Sequence, residues 1–253
     1  MFASLSVFDI VIIALFWAAE ICVFPLFIKA QWPKPCVKSF VLKMASASVF
    51  LAYGIYLACK VEWGTFALYM VLGLIGGWLG DLLLHLKPFL PEDSKLGEAL
   101  SFVSGLLAFL AGHIMYVIAY IYAILNFGFK ISWQTYVIIA AVIVIAVIVK
   151  FAAKIKLGIA AVPVVFYCAT IATMLSMAIT LSSIVIEYSV FCAVVLVVGA
   201  VLFVISDGTL VFCMFGNENQ KKNFPLKAVN LTTYFIAQML LASTILLVNH
   251  VAV

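Results

Sequence analysis

Two carboxylic acids, Asp81 and Asp207, each lie inside a long apolar run of the sequence. Asp81 belongs to GLIGGWLGDLLLHL and Asp207 to GAVLFVISDGTL. An ionisable side chain inside a membrane span is energetically costly, so it marks a functional site by default. Two carboxyl groups that face each other can divide the roles of proton donor and anion between them. The two residues therefore indicate acid/base chemistry inside a membrane.

Other polar residues in the apolar runs are spaced to share a helix face. Pairs three or four positions apart recur, which places both members on one side of a helix: Asp81 with His85, His113 with Tyr116, and Tyr234 with Gln238. Lys43, Tyr167 and Ser206 are further polar residues in or next to such runs. Together with the two acids, all of these residues except His85 form the candidate site.

Several of these residues also have a purely structural interpretation. The ammonium group of Lys43 can snorkel to the lipid head groups, or it can hold a substrate phosphate. His113 can be a satisfied core residue, and Gln238 can join helices by hydrogen bonds. A further buried acid, Glu20, is either functional or paired internally.

The elements that position these residues are membrane helices. Of the 253 residues, 68% are hydrophobic and 9% are charged, and the mean hydropathy is +1.31. Such a composition excludes a soluble domain, and the long unbroken runs exclude a transmembrane barrel. We predict an all-α bundle of eight spans within a single transmembrane domain, 1–253. The predicted spans are 8–28, 40–58, 66–84, 99–125, 132–149, 157–183, 188–213 and 228–249.

The lysines predict the orientation of this bundle. Twelve of the fourteen fall in four alternate connectors: Lys29, Lys34, Lys38 and Lys43, then Lys87 and Lys95, then Lys150, Lys154 and Lys156, and finally Lys221, Lys222 and Lys227. Only Lys60 and Lys130 lie on the other side. The positive-inside rule then places both termini outside the cytosol. The sequon at Asn230 would face the cytosol, so we expect it to carry no glycan.

This topology brings the polar residues to one depth of the membrane. The cytosolic half holds Glu20, Lys43, Asp81, Tyr167, Ser206, Asp207, Tyr234 and Gln238, with His113 nearer the middle. The outer half has almost no ionisable residues. The asymmetry favours a polar cavity open to the cytosolic leaflet over a path across the membrane. It thus favours an enzyme or a lipid-binding site over a channel or transporter.

The motifs GDLLLH, SGLLAFLAGHIMYVIAY, GAVLFVISDGTL and YFIAQML, in this order, resemble the YhhN family of eight-span membrane proteins, whose animal members are lysoplasmalogenases. The similarity extends from Lys43 to about Leu241. It implies hydrolysis of the vinyl ether bond of lysoplasmenylcholine or lysoplasmenylethanolamine. The products would be a fatty aldehyde and glycerophosphocholine or glycerophosphoethanolamine.

The resemblance also gives expectations about surroundings and partners. The protein would act on a lysophospholipid among membrane lipids, without a cofactor, a metal or a nucleic acid. It would reside in the endoplasmic reticulum membrane of a eukaryote or in the inner membrane of a bacterium.

The chemistry of this reaction matches the residues. A vinyl ether is cleaved when an acid protonates the carbon distal to oxygen, which gives an oxocarbenium ion that water captures. Glycosidases meet a similar cation with two carboxyl groups. We expect Asp81 and Asp207 to be this pair and Lys43 to hold the phosphate. The residues expected to orient substrate and water are His113, Tyr116, Tyr167, Ser206, Tyr234 and Gln238.

Two other functions compete with this hypothesis. In a metal-dependent hydrolase, ligands from neighbouring helices would hold zinc, the candidates being Asp81, His85, His113 and Asp207. Their spacing matches no metal signature, and the six cysteines contain no CxxC pair. The other alternative is a lipid-binding or transport protein without enzymatic activity, which an internal inverted repeat would support. No convincing repeat is present.

Overall fold

The computed structural model describes residues 6–32, 34–91, 94–153, 155 and 161–252. In these ranges the chain is helical and contains no strand. The long helices are α1 (Val7–Ala30), α2 (Val37–Lys60), α3 (Thr65–Leu84), α4 (Lys95–Asn126), α5 (Trp133–Ala152), α6 (Ala161–Val185), α7 (Val190–Phe215) and α9 (Phe224–Ala252). A single 3-10 turn (Lys87–Phe89) and the short helix α8 (Glu218–Lys221) lie in connectors.

All eight long helices are long and apolar enough to cross a membrane. This confirms the predicted all-α fold and its number of spans. The predicted start of the sixth span, 157–160, lies outside the described residues, as do Lys154 and Lys156. The orientation of the two termini stays a prediction.

Local caps explain where two of the helices begin. The Ser6 hydroxyl accepts a hydrogen bond from the backbone N–H of Asp9, and the Asp9 carboxylate accepts one from the backbone N–H of Ser6. This capping box starts α1. At α4, the Ser94 hydroxyl accepts from the N–H of Gly97. The helix therefore begins at Lys95, one turn before the apolar run predicted from residue 99.

Six of the helices pack in a closed cycle. In that cycle α2 contacts α3, and the contacts continue through α4, α6, α7 and α9 back to α2. Helix α9 also contacts α3 across the cycle. The remaining two spans pack on the outside, α1 against α2 and α9 and α5 against α6. Helix α9 is thus the central helix, and polar residues along it can meet residues of several neighbours.

Glycines on α3 allow the backbones of α3 and α4 to approach each other closely within this cycle. A methyl group added at Gly76 would lie 2.5 Å from the Cα of Gly112 on α4. Such a contact is too short for any residue other than glycine, so the two backbones touch directly. One residue later, a Cβ on Gly77 would overlap the amide group of Gln238. The small residues of α3 therefore leave room for polar side chains from α9.

Candidate functional site

Asp81 forms a buried ion pair with Lys43 near one end of the bundle. The Lys43 Nζ lies 3.0 Å from Asp81 Oδ1, and the two side chains are only 7% and 2% exposed. We call this end, at which α3 finishes and α2 and α9 begin, the site end. Tyr234 on α9 donates a 2.7 Å hydrogen bond from its hydroxyl group to Asp81 Oδ2. Both oxygens of the Asp81 carboxyl group thus accept from strong donors.

A chain of hydrogen bonds extends from Asp81 towards the middle of the bundle. The side-chain amide of Gln238 donates to the Tyr234 hydroxyl group at 3.2 Å. The Tyr116 hydroxyl group on α4 in turn donates to Gln238 Oε1 at 2.8 Å. All three side chains are buried. The predicted pairing of Tyr234 and Gln238 on one helix face is therefore part of a network that joins α3, α4 and α9.

Asp207 on α7 has a much simpler environment. The Tyr167 hydroxyl group on α6 donates to Asp207 Oδ2 at 2.9 Å. No hydrogen bond or ion pair from the described residues reaches Asp207 Oδ1. The side chain is half-buried, whereas Asp81 is fully buried. One oxygen of this carboxyl group is therefore free to meet a ligand.

His113 packs against a tyrosine of each acid's cluster. Its ring centroid is 5.3 Å from that of Tyr167 and 6.0 Å from that of Tyr116. The Nδ1 atom lies 2.7 Å from the backbone oxygen of Phe109, which indicates an Nδ1–H that donates. The Nε2 atom is buried and has no hydrogen-bond partner. His113 therefore connects the tyrosine that contacts Asp207 with the network that reaches Asp81.

Asp81 and Asp207 do not contact each other directly. Both are described, and no hydrogen bond joins them. Phe203, one turn before Asp207, packs against both His113 (ring centroids 4.5 Å apart) and Tyr234 (5.6 Å). The structure thus places the two acids in neighbouring clusters linked by aromatic rings, and a face-to-face carboxyl pair stays a prediction.

Ser206, predicted to orient substrate, is engaged by an asparagine. The Asn230 side-chain amide donates to the backbone oxygen of Ser206 at 2.6 Å and to its hydroxyl oxygen at 3.1 Å. The sequence pattern indicated Asn230 only as part of a sequon. Its spacing of four residues from Tyr234, and eight from Gln238, was the signal that it shares their helix face.

His85 is a second neighbour of Lys43. Its Nδ1 lies 3.4 Å from Lys43 Nζ, and its ring packs edge-on against Phe27, with centroids 5.3 Å apart. The sequence indicated a role for His85 only as a possible metal ligand, although its spacing of four from Asp81 placed it on the same helix face. The ammonium group of Lys43 occupies the position between Asp81 and His85.

No group of three or more His, Cys, Asp or Glu side chains in the described part of the chain is arranged to hold a metal ion.

Most of the site is closed to solvent. Lys43, Asp81, His113, Tyr116, Tyr167, Ser206, Tyr234 and Gln238 are all buried, and only Asp207 is half-buried. A cavity of about 310 Å³ lies at the opposite end of the bundle, lined by Tyr188, Leu247 and Val251 among others. That cavity contains none of the predicted site residues. A lipid that reaches the site must therefore separate side chains that contact each other in this structure.

A known protein family matches most of this chain. Residues 38–245 match the model of the YhhN family. The chain belongs to the YhhN family. No curated protein and no solved structure matches the chain at a significant level. The match includes every residue of the candidate site described above, whereas the whole of α1 lies before it.

Membership of the YhhN family confirms the resemblance drawn from the motifs. It is compatible with a membrane hydrolase. The eight apolar helices agree with an integral multi-pass membrane protein.

Proposed function

We propose that this protein is a lysoplasmalogenase that hydrolyses the vinyl ether bond of a lysophospholipid in a membrane. The products are a fatty aldehyde and a glycerophospho base such as glycerophosphocholine or glycerophosphoethanolamine. Family membership supports the proposal, since a YhhN protein is compatible with a hydrolase of this type. The observation that carries it is the contrast between the surroundings of Asp81 and those of Asp207.

Asp81 has the surroundings of an anion. Lys43 donates to one oxygen and Tyr234 to the other, so the ionised carboxylate is fully satisfied and its charge is balanced. A proton on either oxygen would displace one of these donors. Asp81 is therefore held as an anion, the partner of the Lys43 ammonium group. Once the substrate phosphate also engages Lys43, these three charges are net negative, and they stabilise a cation that develops nearby in a site of low dielectric constant.

Asp207 has the surroundings of a neutral acid. No cation of the described chain lies within ion-pair distance of it, and isolated charges inside an apolar span are strongly disfavoured. Tyr167 donates to Oδ2, so the acidic proton is carried on Oδ1. This oxygen is free of protein partners, and a carboxylic O–H at this position is ready to protonate a substrate.

The reaction follows from these two states. The π electrons of the vinyl ether form a C–H bond with the Asp207 proton at the carbon distal to oxygen. The positive charge then resides on the adjacent carbon and the ether oxygen. Water adds to that carbon and returns a proton to the Asp207 carboxylate. The resulting hemiacetal loses its bond to the glycerol oxygen, which leaves as a hydroxyl group, and the aldehyde is released.

Other site residues have supporting roles in this proposal. An ammonium group has three N–H donors, and Asp81 and His85 engage two of those of Lys43. The third is available to the lipid phosphate. The unpartnered Nε2 of His113 is an acceptor that can orient the attacking water. The hydrolytic step needs no cofactor.

The proposal is tested with the purified full chain in phosphatidylcholine vesicles. The substrates are a vinyl ether lysolipid and a saturated alkyl ether lysolipid with the same head group, and fatty aldehyde is measured by mass spectrometry. We expect aldehyde from the vinyl ether lipid only, with the same rate after treatment with a chelator. Absence of aldehyde would refute the proposal. Binding of both lipids without turnover would instead indicate a lipid-binding protein, and loss of activity on chelation that added metal restores would indicate a metal-dependent hydrolase.

A further inference from the structure

Glu20 is a third buried acid that the reaction above does not use. It lies on α1, before the segment that matches the family model, and it is 2% exposed. The Ser46 hydroxyl group on α2 donates a hydrogen bond to its Oε1 atom. The other carboxyl oxygen, Oε2, is buried without any hydrogen-bond partner. No Lys or His of the described chain forms an ion pair with Glu20.

These surroundings favour a neutral carboxylic acid. An ionised carboxylate without a counter-charge is strongly disfavoured at this depth of an apolar span. Because Ser46 donates to Oε1, the proton is carried on Oε2. The Oε2–H group is then a buried donor that lacks an acceptor, an arrangement that destabilises a folded protein. Native structures rarely leave such a donor unsatisfied, so an acceptor from a bound ligand or a water molecule is expected here.

Glu20 borders the site already described. Phe24 and Phe27 follow it at spacings of four and seven residues, so all three lie on one face of α1. The Phe27 ring packs against His85 at 5.3 Å, and the Phe24 ring stacks on Phe235, the neighbour of Tyr234, at 6.2 Å. This face of α1 therefore covers the cluster around Asp81.

Ser46 shows where Glu20 lies relative to Lys43. The two α2 residues are three positions apart, so they share a helix face. Ser46 is about 4.5 Å further from the start of α2. A lipid whose phosphate meets Lys43 at the site end would place its glycerol group next, towards Ser46 and Glu20.

The pair of side chains is complementary to an alcohol. Glu20 Oε2–H can donate to the oxygen of a hydroxyl group. The Ser46 oxygen has lone pairs that no described residue uses, so it can accept the proton of the same hydroxyl group. An ester oxygen has no proton to donate, and its acyl chain would need further space. The subsite therefore discriminates between a free and an esterified alcohol.

We propose that Glu20 and Ser46 bind the free glycerol hydroxyl group of a lysolipid and thereby select one-chain lipids against two-chain lipids. This inference rests on the proposed function, because it takes a lysolipid as the ligand. It adds a specificity-determining residue on a helix that the family match does not cover.

The test measures binding rather than turnover. The ligands are a saturated alkyl ether lysolipid, which has no vinyl bond to cleave, and its analogue without the glycerol hydroxyl group. Dissociation constants for the purified full chain are obtained by calorimetry in detergent. We expect the wild-type protein to bind the hydroxyl lipid about tenfold more tightly than the analogue. This factor corresponds to roughly one hydrogen bond to a partner that is otherwise unsatisfied.

Three variants separate this role from a structural one. Glu20→Leu should bind both lipids equally, at the affinity of the wild-type protein for the analogue. Glu20→Gln keeps an N–H donor and an acceptor, so it should retain the preference. Ser46→Ala should reduce the preference for the hydroxyl lipid. If Glu20→Leu does not fold, Ser46→Ala and Glu20→Gln together still test the proposal. The control is Glu187→Gln, at an exposed acid between α6 and α7, which should match the wild-type protein.

The outcomes are distinguishable from failure of the proposed function. Equal binding of both lipids by the wild-type protein, or an undiminished preference in Glu20→Leu, would overturn the subsite. The same holds if Glu20→Gln loses the preference as completely as Glu20→Leu. If the preference is present but vinyl ether lipid yields no aldehyde, the subsite stands and the hydrolase proposal fails. If no lysolipid binds at all, both fail.

Discussion

Asp81 has a hydrogen-bond or ion-pair donor on each carboxyl oxygen, whereas Asp207 has a single donor on one oxygen. Asp81 lies between closely packed helices whose glycines admit the side chains around it, while Asp207 is half-buried beside Tyr167. Two acids in similar apolar runs therefore have opposite surroundings. In the proposed mechanism, neighbouring side chains rather than depth in the membrane determine which of these two carboxyl groups serves as an anion and which as an acid.

The largest expected effect follows from removing the acid. Asp207→Asn cannot transfer a proton, so its rate of aldehyde release should fall by roughly 10²–10⁴-fold, the usual contribution of general acid catalysis. Its melting temperature should change little, because Asp207 has no ion pair to lose. Aldehyde release and thermal unfolding of the same preparation check both expectations. A fully active Asp207→Asn protein would exclude Asp207 as the proton donor.

The next effect concerns the stability of the Asp81 cluster. Breaking a buried ion pair by removal of one partner costs about 3–5 kcal/mol, because the other charge is left uncompensated. Asp81→Asn and Lys43→Met should each lower the free energy of unfolding by about this amount. The double variant should recover much of the loss. Denaturant unfolding of the four proteins tests this coupling, and strictly additive losses would show that the pair is not coupled.

The two tyrosines give a smaller and more selective contrast. Tyr234→Phe removes a hydrogen bond to an anion, worth about 1.5–3 kcal/mol. Tyr167→Phe removes one to a neutral carboxyl group, worth about 0.5–1.5 kcal/mol. The unfolding free energies should therefore rank Tyr234→Phe as the more destabilised variant. Equal losses, or the reverse order, would argue that the two acids have the same charge.

The smallest effect is expected at an ion pair remote from the site. Asp9 pairs with Lys60 at 2.6 Å near the start of α1 and the end of α2, where the Lys60 side chain is 38% exposed. The Asp9 side chain is only 9% exposed, but its partner reaches solvent, and such a pair contributes less to stability than a fully buried one. Asp9→Asn should lower the melting temperature slightly and leave aldehyde release unchanged. A large loss of activity in this variant would show that the reaction depends on α1 beyond the site end.

Much of the fold and part of the site follow from the sequence. Apolar runs long enough to span a bilayer predict the eight helices, because each span must satisfy its own backbone hydrogen bonds. Alternating direction of the spans then predicts that Lys43, Asp81 and Tyr234 share one depth, and the structure joins these three residues. The depth of a residue in the membrane follows from its distance along the helix to the nearest connector, and the sequence gives this distance directly.

The choice of partners does not follow from depth. Lys43 pairs with Asp81 because α2 contacts α3, and Ser46 binds Glu20 because α1 packs against α2. The six-helix cycle of contacts leaves out α1 and α5. Which helices belong to it depends on how helix surfaces fit together, and the depth of a residue in the membrane gives no information about that fit. For the same reason, residue spacing did not predict that Asn230 is a partner of Ser206.

The difference in charge between Asp81 and Asp207 is tested most directly by infrared spectroscopy of the purified protein. Absorption by protonated carboxyl groups is compared among the wild-type protein, Asp207→Asn and Asp81→Asn, with any contribution of Glu20 common to all three. We predict that the Asp207→Asn spectrum loses intensity in this region and that the Asp81→Asn spectrum does not. Loss of intensity in Asp81→Asn, with no change in Asp207→Asn, would contradict the assignment of the two acids.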